Sequence, residues 1–264
     1  MQWENLTEPD FAKAVKSTGG VCILAVGCLE RHFEHLPLGT DMLNGHAIAC
    51  LAARKEPAVV FPPYYFGQIH EAKHYPGAIA LDPVLTLQVL MATCDEIGRN
   101  GFRKIIILNA HGGNRYVLGY LVQSVLAQRK PYTLYLFAGP GSEWRKKWKE
   151  LLETDVHGHA CECETSVTLA NFPELVKMDA LRGRKGPALG RAAHVAGGYF
   201  SNQWYTDSPE HYMGDANPAT AGKGKKLVAI EVAALAEYVR AVRKDKAVNK
   251  LRKEFYDRCD RVGK

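Results

Sequence analysis

Two apolar runs of strand length, Val21–Val26 and Ile105–Leu108, limit most strongly what this chain can fold into. Each is continuous rather than alternating, the pattern of a strand buried on both faces of a parallel sheet. The runs read as strands Val21–Val26 and Lys104–Asn109, joined by two weaker candidates at Ala58–Phe61 and Tyr132–Phe137. Helical patterns fall between and after them. They are Leu43–Arg54, Leu85–Asn100, Tyr116–Gln128 and Lys226–Arg243, the last with Leu227, Ile230, Ala233, Leu235 and Val239 as its apolar positions. Asn100-Gly101 is a usual helix stop. Strands alternating with helices predict an α/β fold: a parallel sheet with helices on both faces. A chain of 264 residues suits one such domain, taken here as 1–264. The stretches Gly183–Gly198 and Asp215–Lys225, rich in Gly, Ala and basic residues, read as long ordered loops.

Composition narrows the classes further. The 47% hydrophobic content is ordinary for a globular core. No apolar run approaches the roughly 20 residues a membrane span needs. Met1-Gln2-Trp3-Glu4 lacks the basic and apolar regions of a secretory signal. A charge of +6, from 34 basic and 28 acidic residues, is spread over several short clusters rather than a basic stripe, so no nucleic-acid partner is expected. The seven cysteines are odd in number and irregularly spaced, which argues against a disulfide framework and for a reducing cytoplasm.

In open α/β sheets ligands bind beyond the carboxyl ends of the strands. The segment after the first strand contains Glu30, His32, His35 and Asp41; the one after Lys104–Asn109 is Ala110-His111-Gly112-Gly113-Asn114. Carboxylate oxygen and imidazole nitrogen are the donors that Zn²⁺ and Mn²⁺ take. Glu30 and His32, two residues apart, share a side in extended chain. The turn Leu36-Pro37-Leu38-Gly39 can return Asp41 toward them, where it can bridge two ions. A metal pair acidifies a shared water, forming hydroxide near neutral pH. His111 to Asn114 also reads as a plain strand-to-helix turn, with Asn114 as cap. A third cluster runs from His157 through His159, Cys161, Glu162, Cys163 and Glu164 to Ser166. It reads equally as a helix N-terminus favouring acidic residues and as a source of one more carboxylate ligand and a proton-transferring histidine. Cys161 and Cys163 are further candidate ligands.

Glu30-x-His32 followed by His35-Leu36-Pro37-Leu38-Gly39-Thr40-Asp41 resembles the opening motif of the creatininase (creatinine amidohydrolase) family. Glu71-Ala72-Lys73-His74-Tyr75-Pro76-Gly77, Asn109 to Asn114, His159-Ala160 leading to Glu164-Thr165-Ser166, and Gly214-Asp215 with Ala219 to Gly224 are similar to further segments of it. The resemblance runs in order over Val21 to Gly224. It implies a three-layer αβα sandwich with a mainly parallel central sheet. It also implies two divalent ions, commonly zinc, manganese or iron, hydrolysis of a C–N bond in a cyclic or linear amide, and a homo-oligomer, often a hexamer. Carried over by position, Glu30, Asp41 and His111 would hold one ion, and His32 with the bridging Asp41 the other. Creatininase proper has a glutamate where this chain has Gly113, so Glu164 is taken as the remaining carboxylate ligand. The resemblance is therefore to a branch other than creatininase proper. Phe33-Glu34 stands where the family often has Gly-Pro, and Cys161 where it usually has glycine; both changes fall near the expected pocket.

The resulting expectation is a bridging hydroxide attacking an amide carbonyl, with His159 returning a proton to the leaving nitrogen. Glu164 joins His159 as a catalytic candidate. Glu71 and His74 border the substrate opening, and Phe33 and Glu34 shape it. The rivals are a noncatalytic metal- or metabolite-binding protein on the same fold, a nucleic-acid binder suggested only by charge, and a metallophosphatase, for which no phosphate-cradling loop is evident beyond Gly112-Gly113.

Overall fold

A computed structural model of the chain describes residues 1–195, 197 and 199–263. In chain order its elements are α1 (Glu8–Ser17), β1 (Val21–Val26), α2 (Thr40–Lys55), β2 (Val59–Val60), α3 (Pro83–Arg99), β3 (Lys104–Asn109), α4 (Arg115–Ser124) and β4 (Thr133–Phe137). There follow α5 (Ser142–Lys149), β5 (His157–His159), α6 (Glu162–Asn171), α7 (Gln203–Asp207), β6 (Met213–Gly214), α8 (Ala221–Lys244) and α9 (Ala247–Cys259). The main sheet is parallel throughout, in the order β2-β1-β3-β4. A separate antiparallel pair, β5-β6, closes over the carboxyl side.

Each central strand divides its side chains between two cores. Val21, Ile23 and Ala25 of β1, with Ile106 and Leu108 of β3, pack against Ala49 and Ala52 of α2, Val167 of α6 and Leu227, Val232 and Leu235 of α8. Cys22, Leu24, Val26, Ile105 and Ile107 face Ala14 of α1, Leu90 and Ile97 of α3, and Leu118 and Leu121 of α4. The result is the expected αβα sandwich, and it explains why β1 and β3 are apolar without alternation.

Several boundaries differ from the sequence reading. α3 begins at Pro83 because the Asp82 carboxylate accepts from the Val84 and Leu85 amides and Pro83 needs no amide partner. The predicted loop Asp215–Lys225 ends early: Thr220 Oγ1 accepts from the Lys223 amide and α8 starts at Ala221. Gly224 belongs to that helix, where a Cβ would collide with the Ser166 carbonyl of α6. Of the predicted loop Gly183–Gly198, positions 196 and 198 lie outside the described residues; the described remainder contains no helix or strand. Helices α1, α5 and α9 fall where no helix was read.

Candidate metal centre and active site

The centre forms where the β1 and β3 exits meet the first turns of α2 and α6. Gly27, directly after β1, lies against the α2 backbone; an added Cβ would stand 2.5 Å from the Met42 amide nitrogen. This close approach sets the Glu30 loop beside Asp41. The Glu30 amide donates to the Leu38 carbonyl (3.0 Å), closing the turn that returns the chain to Asp41. His111 enters from β3. Asn114 stands at the N-cap position of α4, but its side chain makes no capping bond: it is fully buried, its Nδ2 donates to the Val26 carbonyl (2.9 Å) and its Oδ1 accepts from the Gln68 amide (2.8 Å). Asn114 therefore ties the two strand exits together.

His111 Nδ1 lies 2.9 Å from Glu30 Oε1 and 2.8 Å from Asp41 Oδ2. Asp41 Oδ1 faces His32 Nε2 at 3.2 Å. Ligand-type atoms of Cys28, Glu30, Asp41 and His111 lie within 4.8 Å of one another; so do those of Glu30, His32 and His159, and those of His32, Asp41 and Glu164. Asp41 is common to the first and third groups. The structure thus brings Glu30, His32, Asp41, His111, His159 and Glu164 to one place. Gly113 contributes no ligand. A Cβ there would press on His111 Nε2 and stand 2.7 Å from Gln68 Oε1. Glu162, the other acid of the α6 first turn, is occupied elsewhere: it accepts from the Glu153 and Thr154 amides and pairs with Lys223.

Charge compensation inside the cluster is strong. Burial opposes ionisation of Glu30, yet His111, by its charge and its hydrogen bond, holds that carboxyl well below the usual range. Asp41 is likewise depressed against burial, by His32 and His111. Burial resists charging His32, but Asp41 and Glu30 raise it to about 9. His111 is pushed well above its ordinary value by the Glu30 and Asp41 carboxylates, again against burial. In this form two imidazolium protons occupy positions that a divalent cation can take. The donors are mostly hard oxygen and nitrogen, so the site fits Zn²⁺ or Mn²⁺. The Cys28 thiol, 3.3 Å from Asp41 Oδ2, is raised far above its usual range by burial. Among the described residues it is the one soft donor grouped with these ligands.

A cavity of about 540 Å³ opens onto the cluster, bordered by Glu30, Glu71, His111, His159, Glu164, Trp204 and His211. His159 Nε2 lies 2.8 Å from the Arg31 carbonyl, its Nδ1 3.9 Å from Glu164 Oε2, and its ring is edge-on to Trp204. Burial lowers its pKa, so the ring is neutral near pH 7. Phe33 and Glu34 do not border this cavity. The Phe33 ring is stacked on Tyr212 under the Arg184 guanidinium, and Glu34 accepts from Arg184 (3.3 Å) at the surface. His74 is exposed, its Nε2 2.9 Å from the Pro209 carbonyl, and its ring lies behind His211 rather than on the cavity wall.

Two buried neighbours were not foreseen. Cys28 has the same spacing to Glu30 as Glu30 has to His32, a signal the sequence offered. His211 lies 3.5 Å from Glu30 Oε2, with its backbone in the left-handed region (φ 49°). It comes from a segment with no recognisable pattern, so only the tertiary fold brings it in.

The creatininase family, described as creatinine amidohydrolase, matches residues 4–239, and the chain belongs to that family of hydrolases. A mycofactocin precursor peptide peptidase of Mycolicibacterium smegmatis is 27% identical over 234 residues, covering 85% of this chain and 86% of that protein. A creatinine amidohydrolase of Pseudomonas putida is 25% identical over 190 residues, covering 66% and 73%. The broader match to the peptidase and the glycine at 113 put the chain in a branch other than creatininase proper. Among solved structures, a creatininase of Zn-Zn type (TM-score 0.76, 20% identity, 92% and 98% coverage) and a manganese creatininase (0.75, 20%, 92% and 99%) share the fold.

Proposed function

We propose that this chain is a dinuclear metal-dependent amidohydrolase that cleaves the C–N bond of a small cyclic or linear amide. The observation that carries the reading is the pair of overlapping donor groups, one around Glu30, Asp41 and His111 and one around His32, Asp41 and Glu164, that share Asp41. Asp41 would bridge, and the ions would be zinc, manganese or iron. Bound there, they supply Lewis acidity, which polarises a carbonyl and acidifies water.

The protein's own part is positioning and proton transfer. With its Nε2–H donated to the Arg31 carbonyl, His159 presents a basic Nδ1 toward Glu164 and the cavity. That nitrogen would take a proton from the water whose oxygen attacks the carbonyl and give it to the leaving nitrogen as the C–N bond breaks. Glu71 and Trp204 frame the substrate. Self-association into a homo-oligomer belongs to the same reading, and sedimentation tests it directly.

The test is hydrolysis of a panel of cyclic amides, linear amides and short peptides by zinc- or manganese-loaded protein. Turnover that is lost in Asp41→Ala and His159→Asn supports the proposal. Metal-loaded protein that cleaves none of the three classes sinks it, and leaves the noncatalytic binding reading in its place.

A further inference from the structure

A second cavity of about 730 Å³ also reaches the metal cluster, between α2, α5, α6 and α8. Its wall includes Asp41, His111 and Glu164, so it shares the cluster with the cavity already described. At its floor is Glu231, in the middle of α8. Residues three and four positions away, Leu227, Val228, Ala234 and Leu235, are all buried in the sandwich core. Glu231 therefore occupies the apolar face of the helix, where it lines the cavity and stays half-buried. A carboxyl so placed is costly unless something pairs with it.

Among the described residues no basic group forms an ion pair with it. No charged group influences Glu231; burial alone raises its carboxyl to about 7, eased only by the facing Trp148 indole. His157 Nδ1, also on this cavity, is buried without a hydrogen-bond partner. An acid on the floor and the indole and Phe137 ring as walls make a setting suited to a cation. The Arg115 and Arg145 guanidinium groups border the cavity from exposed positions, where solvent and salt screen them.

We infer that this cavity is a second subsite of the same active centre, and that Glu231 selects substrates by seating a cationic nitrogen group, ammonium or guanidinium, carried on one side of the scissile amide. The inference builds on the amidohydrolase reading, since it places the reacting bond at the His111–Glu164 rim shared by the two cavities. It implies a substrate that extends into both, with its cation about one cavity length from the bond that is cut.

Calorimetric titration of the zinc-loaded protein with n-butylammonium, n-butylguanidinium and n-butanol tests this without requiring turnover. At least one cation is expected to bind at least tenfold more tightly than butanol, and E231Q, which keeps the side-chain shape, to lose that preference with its metal content intact. Trp148→Phe is the second variant, expected to weaken cation binding several-fold while α8 stays untouched. Equal binding of cations and butanol by the wild type, or an undiminished preference in E231Q, overturns the inference. Failure of the amide panel with cation selectivity intact would instead overturn the hydrolytic reading alone.

Discussion

Asp41 divides its two oxygens between His32 and His111, so each half of the centre depends on it. Asp41→Asn is expected to lower bound zinc to well under one ion per chain by elemental analysis, with the fold retained. Cys28→Ala is expected to keep its metal, because burial holds that thiol protonated. His159→Asn should also keep metal while slowing turnover by about 10²–10⁴-fold, the usual range for a lost acid–base group. Metal loss in that variant would make His159 a ligand instead. The protonated histidines give a pH signature. His32, raised to about 9, carries a proton at pH 7 that a metal must displace. Zinc binding at pH 7 should therefore release at least one proton, measurable by titration in buffers of different ionisation enthalpy, and apparent affinity should climb as pH rises toward 9. For the metal-free protein the linked stability runs the other way. The His32 contribution is complete below its ordinary value near 6.5 and fades as pH passes through about 9.

Among the elements, α8 and α6 hold the centre from behind, and their packing has no slack at Gly224. Gly224→Ala should destabilise by about 3 kcal/mol, at the upper end of ordinary overpacking, because backbone rather than a mobile side chain is in the way. Loss of the α8 cap in Thr220→Ala should cost about 1 kcal/mol. Urea denaturation measures both. A Gly224→Ala variant as stable as the wild type would show that α6 and α8 can separate at little cost, and would weaken the case for a rigid Glu164.

At the scale of the molecule, an unmetallated centre is an ion-pair cluster of two buried carboxylates and two imidazolium rings, and a loaded one exchanges those protons for cations. Ligand binding to the native state alone raises stability by about 2.7 kcal/mol at a hundredfold excess over Kd. Chelator treatment should accordingly lower the melting temperature of the wild type by several degrees and leave Asp41→Asn nearly unaffected. No helix among the described residues is long and apolar enough to cross a membrane.

Much of this was legible in one dimension. Unbroken apolar runs at Val21–Val26 and Ile105–Leu108 dictate doubly covered strands, because only burial on both faces makes that pattern favourable. Strand ends rich in carboxylate and imidazole dictated where to look for Glu30, His32, Asp41 and His111, since these donors are placed by short local connections. Helix starts at Pro83 and Ala221 were also written in the chain, in Asp82-Pro83 and Thr220, though hidden by proline and glycine nearby. The tertiary structure alone decided the rest. Phe33 and Glu34 turn toward Tyr212 and Arg184, Asn114 ties loops instead of capping a helix, and His211 arrives beside Glu30 from a segment far away in sequence. Glu231 reads as one more acid on an amphipathic helix until α5 and α6 border the same cavity. Local patterns fix which side chains an element can present; which ones share a cavity depends on contacts between segments far apart in the chain, and those are set only when the layers pack.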